Sequence, residues 1–287
     1  MIADILTCIH NKMNSLSKGQ RKIANYILDS YDKAAFLTAD ALGKTVQVSE
    51  STVVRFASEL GYDGYPEMQK AMQEMVLNRL TSVQRIEVST NRISQENVLN
   101  SVLQSDMDLI RCTGDEIDSQ AFTGAVEALL NAKRIYILGV RSSSALASFL
   151  SYYLNYMFDD IRLITSASDS EVFEQIVRIS PKDVLVGISF PRYSCAAAQA
   201  MEYAHNAGAQ TVALTDCASA PIAKYADFLL AAKSDMVSLV DSLIAPMSVI
   251  NALIVAVAAR RKQETTATFD KLEEIWDMYH VYEKFDE

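Results

Sequence analysis

The sequence predicts an α/β chain in two parts: an all-α domain at the amino end, then a doubly wound α/β domain with a five-stranded parallel sheet. Three observations carry this. Up to about residue 77, apolar residues recur at helical spacing between capping residues, with no strand-like run. From residue 134, five short continuous apolar runs alternate with helical segments, the pattern of strands buried on both faces. Charge divides in the same way: residues 1–77 carry eight Lys or Arg against nine Asp or Glu, and residues 78–287 carry eighteen against twenty-seven. The net charge of −10 therefore sits almost wholly in the second part, which leaves the first able to present a local basic face. The expected divisions are a domain at 1–77, a helical linker at 78–119 and a second domain at 120–287.

Composition excludes several classes. With 50% apolar residues, nine glycines and five prolines in 287, the chain is neither disordered nor fibrous. Cys8, Cys112, Cys195 and Cys217 stand far apart without a C-x-x-C pair, so no disulfide framework, metal site or cofactor is expected. Met1–His10 lacks the basic start and cleavage site of a signal peptide. The longest apolar run, Leu243–Ala259, is interrupted by Pro246, Ser248 and Asn251 and falls short of the about 20 residues a membrane span needs. It reads as a buried helix of a cytoplasmic protein.

In the first domain, Ser17 with Gln20 three residues on forms a capping box, and Ile23, Ala24, Ile27 and Leu28 follow at helical spacing. Thr38 opens a second helix bearing Ala41 and Leu42. Ser49 opens a third, with Val53, Phe56, Ala57 and Leu60 on its apolar face and Gly61 as its stop. Two short helices joined by a turn around Val46–Val48 have the length and spacing of a helix-turn-helix. Ser49 starts the second helix, and Glu50, Ser51, Thr52, Arg55 and Ser58 point outward from it. Small hydroxyl residues at a helix start approach phosphates and base edges, and Arg55 can fork onto a guanine or a phosphate. Lys18, Arg21, Lys22 and Lys44 are nearby candidates for backbone contacts.

From Leu16 to Leu77 the chain resembles the N-terminal helix-turn-helix domain of RpiR-type bacterial transcriptional regulators. The S-E-S-T-V-V-R-F core, the following L-G-Y and Gly64-Tyr65-Pro66 carry the resemblance. It implies that Ser49–Leu60 is a recognition helix for double-stranded operator DNA.

Between the domains, Leu99, Val102, Leu103 and Leu109–Ile110 suggest one helix, and Phe122, Val126, Leu129 and Leu130 another. The strand candidates are Arg134–Gly139, Ile161–Thr165, Val184–Ser189, Thr211–Thr215 and Asp227–Ala231. The first ends in Gly139-Val140-Arg141-Ser142-Ser143-Ser144, with a helix expected from near Ala145. The third ends in Ser189-Phe190-Pro191-Arg192-Tyr193-Ser194, again before a helix. Two serine-bearing turns on neighbouring strand ends can converge on one anion, with Arg141 and Arg192 available for charge-assisted bonds. No G-x-G-x-x-G or P-loop pattern is present, which disfavours a dinucleotide or nucleotide site.

The segment of roughly 120–260 resembles a sugar isomerase (SIS) domain, the usual C-terminal partner of the RpiR-type helix-turn-helix. Its turns commonly read G-x-G-x-S and S-x-S-G-x-T. Ser143 falls on the serine of the first, and Ser189 and Ser194 fall on the outer serine and the threonine of the second. Arg141 replaces a glycine, and Pro191 and Arg192 replace the central Ser-Gly. The resemblance implies a phosphosugar-binding pocket, narrower or more basic than usual, with Ser142 and Ser144 as neighbours.

An isomerase needs an acid–base pair. His10, His205 and His280 are scattered, and Glu171, Glu174 and Asp241 form no evident pair, so no enzyme is expected. After the long helix expected within 238–263, a last helix near Phe269–Phe285 carries Phe269, Leu272, Ile275, Trp276, Tyr279 and Tyr282 on one face. Such a face is most often core, with a dimer or tetramer contact as the alternative. The resulting expectation is a repressor of sugar or related carbon metabolism, modulated by a phosphorylated sugar or sugar acid. The rivals are a phosphosugar isomerase with an idle appendage and a scaffold with neither activity.

Overall fold

The computed structural model describes residues 5–79, 97–166, 168–234 and 241–282. The chain forms two compact units, Met1–Asn91 and Arg92–Glu287. The part of the linker at 80–96 and the ends of the last two expected helices at 238–240 and 283–285 lie outside the described residues.

The described elements of the first unit are all helices: α1 (Ile5–Lys12), α2 (Lys18–Asp29), α3 (Tyr31–Ala34), α4 (Ala39–Val46), α5 (Glu50–Leu60) and α6 (Tyr65–Arg79). The capping box at α2 forms as expected, Ser17 and Gln20 each accepting the other's N–H. Thr38 caps α4, and Gln47 in the left-handed region turns the chain toward α5. The turn is tight at Gly43, where a Cβ would lie 2.9 Å from the Val48 carbonyl. Ile23, Ile27, Leu42, Val53, Phe56, Met68 and Met72 are fully buried between the helices. Tyr65 and Gln69 both donate to the Leu37 carbonyl, at 2.6 and 2.7 Å, and Gln73 donates to that of Ala35 at 3.0 Å. These bonds satisfy carbonyls left open after the short α3.

In the second unit, α7 (Val98–Glu116) and α8 (Ser119–Asn131) precede the sheet. They are followed by β1 (Arg134–Gly139), α9 (Ser143–Leu154), β2 (Ile161–Ile164), α10 (Asp169–Ile176), β3 (Asp183–Ile188), α11 (Cys195–Asn206), β4 (Gln210–Thr215), β5 (Phe228–Ala231), α12 (Ile244–Arg260) and α13 (Lys262–Tyr279). All four strand pairings are parallel, in the order β2-β1-β3-β4-β5. Side chains alternate between two cores. Ile135, Ile137, Val184, Val186 and Val212 pack under α8, α9 and α12; Tyr136, Leu138, Leu185 and Ala213 pack under α10 and α11. This is the doubly wound arrangement. Linker helix α7 is pinned to the unit where Thr113 accepts the Lys233 N–H at 2.8 Å and Asp106 accepts from Ser242 at 2.6 Å.

Three expectations need correction. Strand β2 is not buried on both faces, because it is an edge strand whose Arg162 and Leu163 reach solvent. Helix α9 starts at Ser143, two residues before the expected point, so the serines are its first turn. The aromatic face of α13 is not core: no residue of the helix is buried, and Ile275, Met278, Tyr279 and Tyr282 are exposed. Among the described residues no single helix is long and apolar enough to cross a membrane.

Candidate functional sites

In the first unit, α5 turns Val53, Phe56, Ala57 and Leu60 inward, which aims the opposite face at solvent. Glu50, Ser51, Arg55 and Ser58 are exposed there, while Thr52 is half-buried, its methyl 3.4 Å from where a Cβ on Gly19 would sit. The start of α2 thus lies beside the start of α5, and Lys18 and Lys22 of α2 are exposed. The Ser49 hydroxyl caps no backbone N–H; it bonds the Ser51 and Thr52 hydroxyls, both at 2.9 Å. The amino end of α5 therefore keeps donors for an anion. Arg55 folds back, its Nε donating to the Ser51 carbonyl at 3.3 Å, so its guanidinium lies over the first turn. Lys44 pairs instead with Asp40 at 2.6 Å. Sequence patterning passed over Val54, 41% exposed on the outward face three residues after Ser51, where an apolar side chain suits a thymine methyl.

In the second unit, the strand order reverses between β1 and β3. Chain leaving β1 enters α9 on one face, and chain leaving β3 enters α11 on the other. Gly139 pairs with Ile188, so the two turns leave the sheet side by side and part above it. A crevice at this point is where open parallel sheets bind ligands. The first turn places Arg141 at φ 57°, and its carbonyl accepts both the Ser144 hydroxyl at 2.6 Å and the Ser144 N–H at 3.1 Å. Gly139 is required below it, since a Cβ there would meet the Ser143 carbonyl at 2.6 Å. Ser142 starts α9 without a side-chain cap. Ser143 is only 4% exposed, yet its hydroxyl makes no hydrogen bond among the described residues.

The second turn is built differently. Ser189, 3% exposed, accepts the Ser194 N–H at 3.2 Å, and Ser194 in turn caps α11 by accepting the Ala197 N–H at 3.3 Å. Both hydroxyls accept from the backbone and keep their own hydrogens to donate. Arg141 and Arg192 are exposed on the two turns. The structure thus brings all seven residues onto two adjacent turns, at the amino ends of two helices whose dipoles favour an anion. Sequence patterning passed over Asp216, whose carboxylate after β4 accepts the Tyr193 hydroxyl at 2.8 and 3.0 Å. Its signal was a polar residue directly following a buried apolar run.

Comparison with known proteins identifies both domains. Residues 3–78 match the helix-turn-helix domain of the rpiR family, and residues 128–256 match the SIS domain. The HTH-type transcriptional regulator HexR of Escherichia coli is 26% identical over 90% of this chain and 89% of its own. The sugar isomerase domain of an RpiR transcription factor from Sphaerobacter thermophilus is 27% identical. It superposes with a TM-score of 0.58 over 61% of this chain and 97% of that one. The Vibrio vulnificus NanR protein, solved in complex with ManNAc-6P, shares the fold at 21% identity and a TM-score of 0.57, over 96% of this chain and 98% of its own.

A helix-turn-helix unit followed by a doubly wound SIS domain defines a transcriptional regulator. The chain belongs to the RpiR type of these regulators.

Proposed function

We propose that this regulator is a cytoplasmic repressor of sugar or related carbon metabolism, released from or driven onto its operator by a phosphorylated sugar or sugar acid. Residues 1–77 bind double-stranded operator DNA through Ser49, Glu50, Ser51, Thr52 and Arg55. Residues 78–119 link them to a phosphosugar-binding domain at 120–287, where Arg141, Ser142, Ser143, Ser144, Ser189, Arg192 and Ser194 hold the effector. The observation that carries the reading is the crevice between β1 and β3, where two serine turns leave for opposite faces of the sheet. A phosphate there meets the first N–H groups of α9 and α11 and the Ser143 hydroxyl, which has no partner among the described residues. The ManNAc-6P complex of the NanR protein, on the same fold, supports the ligand class.

The regulator works as a homodimer or homotetramer, because a single helix-turn-helix covers one half-site. The exposed aromatic face of α13 is the assembly surface. No catalysis is assigned. His205 sits at the far end of α11 from the crevice, its Nδ1 3.9 Å from Asp227 and its ring against Tyr225. Glu171 accepts a bond from Ser166 at the carboxyl edge of the sheet, and among the described residues no second acid–base group bonds it. The test is a titration of the full chain with sugar phosphates and free sugars. A phosphate ester that binds at least tenfold tighter than its free sugar supports the reading, and equal binding rejects it. Conversion of an aldose phosphate to its ketose, followed by proton NMR, would establish the isomerase instead.

A further inference from the structure

Resting on the phosphosugar reading of the crevice, we propose that Asp216 is the residue that recognises the sugar. Its carboxylate accepts hydroxyl groups of a polyhydroxylated ester whose phosphate lies between the two serine turns. Tyr193 is a positioning residue that holds the carboxylate for this purpose.

The argument begins with placement. Asp216 directly follows β4, and β4 lies beside β3, the strand that ends in the second serine turn. The Ser189 N–H donates to the Leu214 carbonyl at 3.2 Å, so the ladder continues to the base of that turn. One strand spacing, about 4.8 Å, therefore separates the phosphate turn from the chain bearing the carboxylate. Tyr193 belongs to the turn itself, one residue before Ser194. Its hydroxyl bridges both carboxylate oxygens, and Thr215 adds a bond to Oδ1 at 3.1 Å.

The hydrogen-bond inventory then shows what the group lacks. A carboxylate offers about four acceptor sites. Among the described residues Oδ1 takes Tyr193 and Thr215, while Oδ2 takes only the shared Tyr193 bond. No cation among the described residues pairs with this half-buried carboxylate. Burial and the adjacent negative charge push the Tyr193 phenol far above its ordinary range, so it stays a donor at every working pH. The result is a carboxylate fixed by neutral donors, with Oδ2 able to accept more. A neutral hydroxyl suits it, and a second anion does not. Beside a phosphate site, this selects an ester with free hydroxyl groups over a bare phosphate.

Full-length chain should be titrated calorimetrically with inorganic phosphate, methyl phosphate and a panel of hexose 6-phosphates, as wild type, Asp216→Asn and Tyr193→Phe. At least one hexose phosphate should bind wild type tenfold or more tighter than methyl phosphate. Both variants should lose about ten- to a hundredfold of hexose phosphate affinity, the range for bonds to a charged acceptor. Methyl phosphate, which has no hydroxyl to offer, should bind the variants equally well or more tightly. A loss confined to the ligand that carries hydroxyl groups is one a general disruption of the crevice does not produce. Unchanged hexose phosphate affinity in folded Asp216→Asn, with phosphate esters still bound, overturns the assignment and leaves the crevice reading standing. If no phosphate ester binds wild type, the crevice reading falls and this assignment falls with it. Should Asp216→Asn fail to fold, Tyr193→Phe decides alone, since it removes one hydroxyl and keeps the ring.

Discussion

The Ser194 N–H donates to the Ser189 hydroxyl at 3.2 Å, and this bond closes the turn between β3 and α11 on itself. Ser189 is buried at the strand end and Ser194 caps the helix, so one bond sets the geometry of the second half of the crevice. In the first half the Ser144 bonds to the Arg141 carbonyl do the same work, and the Ser143 hydroxyl makes no hydrogen bond among the described residues. The two halves therefore respond differently to mutation.

Ser143→Ala should weaken phosphosugar binding by about 1.5–3 kcal/mol, the value of a bond to a charged partner, with little change in thermal stability. Ser194→Ala should lose comparable affinity and also about 1 kcal/mol of stability, because it removes the α11 cap. Calorimetric titration with thermal unfolding of each variant checks both numbers. Equal stability losses in the two variants would contradict the assigned division of roles.

Arg55→Ala should weaken specific DNA binding by about 1–3 kcal/mol if the guanidinium reads a base. Fluorescence anisotropy at fixed salt, on a duplex selected from a random pool and on an unrelated one, separates the cases. Equal weakening on both makes Arg55 a phosphate contact. No weakening on either removes it from the interface.

Residues 1–79, which keep α1 to α6 whole, should bind the selected duplex much more weakly than the full chain. The first domain carries no net positive charge, and without the second it loses the effective concentration of a linked pair. Equal affinity of the two chains would mean that the helix-turn-helix unit pairs unaided.

Tyr279→Glu should leave the fold intact, since Tyr279 is 72% exposed, and should weaken self-association. Sedimentation velocity across a concentration series measures this. A variant that associates like wild type would take the α13 face out of the assembly.

Much of the fold is written locally. Ser17 with Gln20, Thr38 and Gly61 mark helix ends within a few residues of the groups they cap, so the sequence carries them directly. β1 runs over Arg134–Gly139 as its apolar run indicates, because this central strand is buried from Ile135 to Gly139. The same argument fails at β2, where strand order, not hydrophobicity, exposes Arg162 and Leu163. It fails again at α13, since periodicity shows an apolar face without showing what covers it. The seven crevice residues fall within two short turns and were visible as such. Asp216 was not, because its partner Tyr193 lies 23 residues away and only the β3–β4 pairing brings them together.

The central claim is that a phosphosugar in the crevice changes the affinity of the helix-turn-helix for DNA. The most direct measurement is the Kd of the full chain for its selected duplex, with and without saturating hexose phosphates, beside the free sugars. At least one phosphate ester should shift the Kd by about 5- to 150-fold, the usual range of coupling between two sites, and its free sugar should not. The shift should vanish in Ser143→Ala while DNA binding without effector is kept. A chain whose Kd is the same with every phosphate ester and with none would contradict the account.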